Sequence, residues 1–115
     1  MNRFELFSLI FFWLNRFYEK ETDDRIINQL SEMNPFIWDD IGSADPAVYD
    51  EYCSFIGDAE ITVENSIDFA REYVKSIKYA DLTAAFNNID INKWIDGCKR
   101  YLASDHKGAD SSAVD

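Results

Sequence analysis

Residues 4–18 read FELFSLIFFWLNRFY, and the fold turns on how this stretch is taken. Eleven of these fifteen side chains are apolar, and residues 9–14 form an unbroken apolar run. Phe4, Phe7, Phe11, Leu14 and Tyr18 recur at spacings of three and four and form one wide helical stripe. Leu6, Ile10, Trp13 and Phe17 form a second. A helix that is apolar nearly all round belongs at the centre of a bundle. A secretory signal would use Arg3 as its charged start and residues 6–14 as its apolar stretch. No small-x-small cleavage site follows, and Asn15, Arg16, Glu19 and Lys20 come next instead. The run is also shorter than the ~20 residues that span a bilayer. The stretch therefore reads as a buried core helix.

The rest of the chain has the same period. Thr22 is the expected cap of a second helix, with Asp23 and Asp24 in its electropositive first turn. Ile26, Leu30 and Met33 share a face, and Pro35 stops the helix because the residue before a proline leaves the α region. Residues 36–43 (FIWDDIGS) form a connection with aromatics of its own. Asp45-Pro46 opens a third helix with an acceptor at the cap and a preset φ at the first helical position. Its rows are Val48, Tyr52, Phe55 and Tyr49, Cys53, Ile56. Ala47, Asp50, Glu51 and Ser54 are left on the wet side, and Gly57 suits the end. Thr62 is expected to cap a helix carrying Val63, Ile67, Ala70, Val74 and Ile77, with Glu64, Asp68, Glu72 and Lys75 outward. Asp81 starts a short helix through Phe86. Asp90 caps the last helix, where Ile91, Trp94, Ile95, Cys98, Tyr101 and Leu102 keep the i, i+3, i+4, i+7 rhythm. No segment alternates with period two, and no solenoid repeat is present. The expectation is an all-α fold, a compact bundle of five to six helices in one domain over residues 1–103. Residues 104–115 (SDHKGADSSAVD) read as a disordered tail.

Composition narrows the function. The 115 residues are 47% hydrophobic and 16% aromatic, enough for a real core. Net charge is −11, with 22 acidic against 11 basic groups. That balance argues against direct nucleic-acid binding, which needs clustered Lys and Arg, and against adhesion to anionic membranes. Cys53 and Cys98 form no CxxC pair, and His106 lies in the polar tail, so no zinc site is expected. Two free thiols in a reducing cytoplasm are the simplest account. The expected folded part holds no histidine, which removes the commonest general base. No phosphate loop, dinucleotide fingerprint, metalloprotease or serine-elbow motif occurs. Asn88, Asp90 and Asn92 imitate the first half of a calcium loop. Lys93 stands where that loop needs glycine, however, and Lys99 where it needs a bidentate Glu. Asp39-Asp40 and Asp50-Glu51 are adjacent carboxylate pairs, but neighbours on a helix point about 100° apart. They read as solvated charge. The expectation is a non-enzyme with no cofactor and no metal.

The distribution of charge is more informative than its total. Residues 26–70 contain no Lys or Arg against ten acids: Glu32, Asp39, Asp40, Asp45, Asp50, Glu51, Asp58, Glu60, Glu64 and Asp68. The two flanking regions are almost neutral, so −10 of the −11 comes from this one segment. Solubility alone is better served by mixed signs. Glu64 with Asp68, and Asp68 with Glu72, are like-charge i, i+4 pairs, each costing roughly a few tenths of a kcal/mol in an isolated helix. A cationic partner would offset that cost. Trp38, Tyr49 and Tyr52 interleave with the acids, as core or as interface anchors. Carboxylates speed the encounter with a basic surface, and buried aromatics then supply most of the affinity.

Residues 38–52 (WDDIGSADPAVYDEY), a helix after them, and residues 90–102 (DINKWIDGCKRYL) resemble the small all-helical immunity proteins of bacterial contact-dependent growth inhibition systems. The resemblance spans roughly residues 1–103. In size and acidity the chain is also similar to the four-helix immunity proteins of nuclease colicins. Their Asp-x-x-Tyr-Tyr-Pro signature is absent, and Asp45-Pro-Ala-Val-Tyr49 is its nearest echo. The resemblance implies a cytoplasmic protein that binds the C-terminal toxin domain of its own system, and a monomer is expected in the free state. Such a domain is often a nuclease, and binding blocks its active site or substrate entry.

The expected function is an immunity protein that neutralises a basic toxin domain. The expected partner-binding residues are Trp38, Asp39, Asp40, Asp45, Tyr49, Asp50, Glu51, Asp58, Glu60, Glu64 and Asp68. Three other classes stay open. A helical adaptor for a basic protein or peptide would show a stable housekeeping partner. A carboxylate-dependent hydrolase would lose activity on changing Asp39 or Asp40. An anchor using residues 4–18 would fractionate with membranes.

Overall fold

The computed structural model describes residues 1–36 and 41–104. Four of the six helices begin where a side chain captures free backbone N–H groups. Asn2 opens α1 (Arg3–Phe17) with a reciprocal cap: its side chain accepts from Glu5 N at 2.8 Å while the Glu5 carboxylate accepts from Asn2 N at 2.7 Å. α2 (Asp24–Met33) starts one residue later than Thr22 would place it. Asp23 is the cap, accepting from Arg25 N at 2.9 Å. The Glu21 carboxylate takes the N–H groups of Thr22 and Asp23, both at 3.0 Å, so the turn closes ahead of the helix. Asn34, extended before Pro35, ends α2.

Ala44 N donates to Asn34 O at 2.8 Å and Asp45 N to Glu32 O at 3.0 Å, which brings the connection back onto the end of α2. α3 (Pro46–Ile56) follows as its sequence dictates. Asp45 accepts from Ala47 N at 3.1 Å, Pro46 fills the first turn, and Gly57 takes φ +60° at the exit. That φ lies in the left-handed region, where a side chain is strained.

Thr62 does not cap α4 (Ser66–Ser76). Its Oγ1 accepts from Asn65 N at 3.1 Å, and its own N–H donates to Asn65 Oδ1 at 2.7 Å. This reciprocal pair closes a turn over residues 62–65, and the helix starts beyond it. Asp81 behaves alike: it accepts from Thr83 N at 3.0 Å and from Thr83 Oγ1 at 2.6 Å, ahead of α5 (Ala84–Asn87). Those hydrogen bonds hold its carboxyl below the usual carboxylate range. Asp90 caps α6 (Ile91–Ala103) as expected, accepting from Asn92 N and Lys93 N. The described residues therefore form six helices with no strand, an all-helical fold.

α1 is the centre of the bundle and packs against each of the other five helices. Its contacts are largely aromatic. Phe7 meets Tyr52 of α3 at 4.8 Å and Tyr73 of α4 at 6.4 Å between ring centroids. Phe12 meets Tyr101 of α6 edge-on at 5.8 Å. Trp13 meets Trp94 of α6 at 5.7 Å and donates from Nε1 to Ala85 O at 3.0 Å. Edge-to-face pairs of this kind add roughly 0.5–1.5 kcal/mol beyond area burial. The first stripe is buried through Leu14, whereas Phe17, the last of the second, is 53% exposed. The core also encloses a small polar chain: Trp94 Nε1 donates to Ser66 Oγ, and Ser66 Oγ donates to Val63 O, both at 2.8 Å. Cys98 Sγ lies 3.7 Å from the same hydroxyl, and burial pushes its thiol up. Both cysteines are free thiols. No helix among the described residues is long and apolar enough to cross a membrane. The expected disordered tail falls, from residue 105 on, outside the described residues.

Candidate functional site

Seven of the acids named from the sequence lie along α3, the following turns and the start of α4. Asp45 sits at the N-terminus of α3, where its carboxylate holds the first turn. Asp50 and Glu51 occupy the outer face of the same helix. Asp58 and Glu60 follow Gly57, Glu64 lies in the turn before α4, and Asp68 lies in the first turn of α4. All seven are exposed. Eleven helical residues advance about 16 Å, so Asp45 and Asp58 mark the two ends of an acidic band. α3 and α4 pack against each other, which continues that band onto a second helix. Trp38, Asp39 and Asp40 are assigned to the same surface by sequence and lie outside the described residues.

Among the described residues no flanking cation forms an ion pair with Asp45, Asp50, Glu51, Asp58, Glu60, Glu64 or Asp68. Among the described residues the ion pair is Glu72–Lys75, at 3.6 Å, with both side chains about two-thirds exposed. A pair so exposed contributes roughly 0–1 kcal/mol. Glu64 lies before the helix, so only Asp68 and Glu72 form the expected like-charge i, i+4 pair within α4.

The aromatics divide. Tyr52 is fully buried and donates from its hydroxyl to Arg3 O at 2.6 Å. Burial pushes its phenol above the usual tyrosine range, as it does for Tyr73, where the Glu51 carboxylate adds to the effect. Tyr49 is half-buried at the margin of the core. Its ring lies 5.7 Å from Phe4, 5.2 Å from Phe7 and 5.7 Å from Tyr52. Its phenol is raised mainly by burial and then by a hydrogen bond with the Cys53 side chain. Most of what this ring can offer is already spent inside the molecule.

Sequence reasoning missed Phe55, which it placed in the same row as Val48 and Tyr52. The side chain is 44% exposed, next to Glu51 one turn earlier, and its ring lies 5.9 Å from Tyr73. The row ends there because α3 stops at Ile56, where the chain turns away at Gly57.

A second surface feature lies between α4 and α5. Arg71, Val74, Lys75, Thr83, Phe86 and Asn87 line a shallow cavity of about 210 Å³. Its polar groups are partly committed: Arg71 Nε donates to Phe86 O at 3.4 Å, and Thr83 Oγ1 donates to Asp81. Among the described residues no group of three His, Cys, Asp or Glu side chains is placed to hold a metal ion. No family profile, curated protein or solved structure matches the chain.

Proposed function

We propose that this protein is an immunity-type inhibitor that binds a cationic toxin domain through the acidic face of α3 and α4. The observation that supports this reading is the exposure of Asp45, Asp50, Glu51, Asp58, Glu60, Glu64 and Asp68 in a segment without Lys or Arg. Asp45 caps α3, but none of the seven is paired with a cation among the described residues. Nuclease toxins are basic because they grip phosphates, and a negative surface competes for the same groove. Inhibitor pairs of this kind bury roughly 1,200–2,000 Å² in total.

Co-expression with the product of the adjacent upstream reading frame tests the proposal. The expected result is growth rescue together with co-purification. Toxicity that persists despite a soluble inhibitor would reject the reading, and a stable housekeeping partner in place of a toxin would favour an adaptor. With the complex in hand, the association rate should fall steeply with ionic strength, and a rate indifferent to salt would reject electrostatic steering.

A further inference from the structure

We propose that Phe55 is the aromatic anchor of this surface, and that it takes an arginine side chain of the partner between Glu51 and Asp58. The inference rests on the cationic-partner reading above and gives it an address. Phe55 projects from α3 at 44% exposure, while its helix neighbours Tyr52 and Ile56 are buried. Its ring is braced from within by Tyr73, tilted at 56°. Bracing on one side fixes the ring and leaves the rest of it to solvent. Glu51 precedes it by one helical turn, a spacing that puts Cβ atoms about 5–6 Å apart. Asp58 follows three residues on, just past Gly57.

An aromatic face with exposed acids before and after it in the chain matches the guanidinium group. Arginine stacks on the ring through cation–π attraction while its planar fork donates to the carboxylates. Lysine, a compact and strongly hydrated charge, uses the ring less well. The alternatives fit poorly. A second copy of this chain would bring acids against acids, and an anionic headgroup or phosphate would meet the same repulsion. Tyr49 is a weaker anchor because Phe4, Phe7 and Tyr52 already engage its ring.

The test is titration of the full chain with an arginine homopeptide and a lysine homopeptide of equal length. Four proteins are compared: wild type, Phe55→Leu, Phe55→Ala, and Glu51→Gln with Asp58→Asn. Phe55→Leu keeps the apolar bulk and removes the ring, and circular dichroism verifies that each variant retains its helicity. Either Phe55 variant should weaken the arginine peptide about three- to tenfold and the lysine peptide less. The carboxylate variant should weaken both peptides. If Phe55→Leu matches wild type for both peptides while the carboxylate variant weakens them, the anchor is wrong and the acidic-surface reading stands. If neither kind of variant changes binding, both fall.

Discussion

α1 and α3 are both aromatic helices opened by an Asn or Asp cap, yet they are built under different constraints. α1 buries Phe4, Leu6, Phe7, Leu9, Ile10, Phe11 and Leu14, whereas α3 buries only Tyr52 and Ile56 and leaves Asp50, Glu51, Ser54 and Phe55 in water. Nearly every apolar residue of α1 is accounted for by the helices around it. The outer face of α3 is not, because the bundle would close equally well over other polar residues there. What folding leaves unexplained on an ordered helix is where a binding function should be sought.

This contrast can be broken most forcefully at Phe7, whose ring reaches Tyr49, Tyr52 and Tyr73. Phe7→Ala should cost about 3–5 kcal/mol, read by urea unfolding. A loss under about 1 kcal/mol would mean that α1 is not the centre of the core. High pH probes the seam where α3 and α4 meet α1. The phenols of Tyr52 and Tyr73 are raised by burial, so below the unfolded value near 10 both states are protonated and stability is complete. Above that value the unfolded chain ionises first. Stability should then fall by about 1.4 kcal/mol per pH unit for each tyrosine as the pH rises toward the folded values. Urea melts at about pH 9 and about pH 11 would show the slope, and Tyr52→Phe should make it shallower. The smallest effect on folding is expected on the outer face of α3. Asp50→Lys with Glu51→Lys should change stability by no more than about 0.5 kcal/mol and leave helicity intact. The same change should weaken partner binding, and binding that survives it would move the interface elsewhere.

How far the sequence could be read depended on competition for backbone groups. The Asp45-Pro46 start, the Gly57 exit and the Asp90 cap were legible because no neighbouring side chain contests those N–H groups. At Thr22 the Glu21 carboxylate took the N–H groups of Thr22 and Asp23, and the cap moved to Asp23. Thr62 and Asp81 spent their side-chain acceptors on Asn65 and Thr83 in turns that closed ahead of the helices. The acids were legible as residues but not as a surface: their exposure and their lack of cationic partners depend on where α4 and the flanking segments pack. Phe55 was hidden for a related reason. Periodicity says which row a side chain joins, not whether the core extends as far as that row does.

By itself, the order of residues determined an all-helical chain with one helix apolar enough to sit at the centre. Period and capping are local properties, settled within a few residues by backbone hydrogen bonds and side-chain geometry. It also determined that the negative charge is concentrated in a single segment, since counting requires no fold. Only the tertiary structure decided which aromatics the bundle consumed and which it left at the surface. Burial is a property of the whole packing, and Tyr52 and Phe55, three residues apart on one helix, received opposite answers: Tyr52 is enclosed between Phe7 of α1 and Tyr73 of α4, whereas Phe55 meets Tyr73 and keeps 44% of its surface exposed.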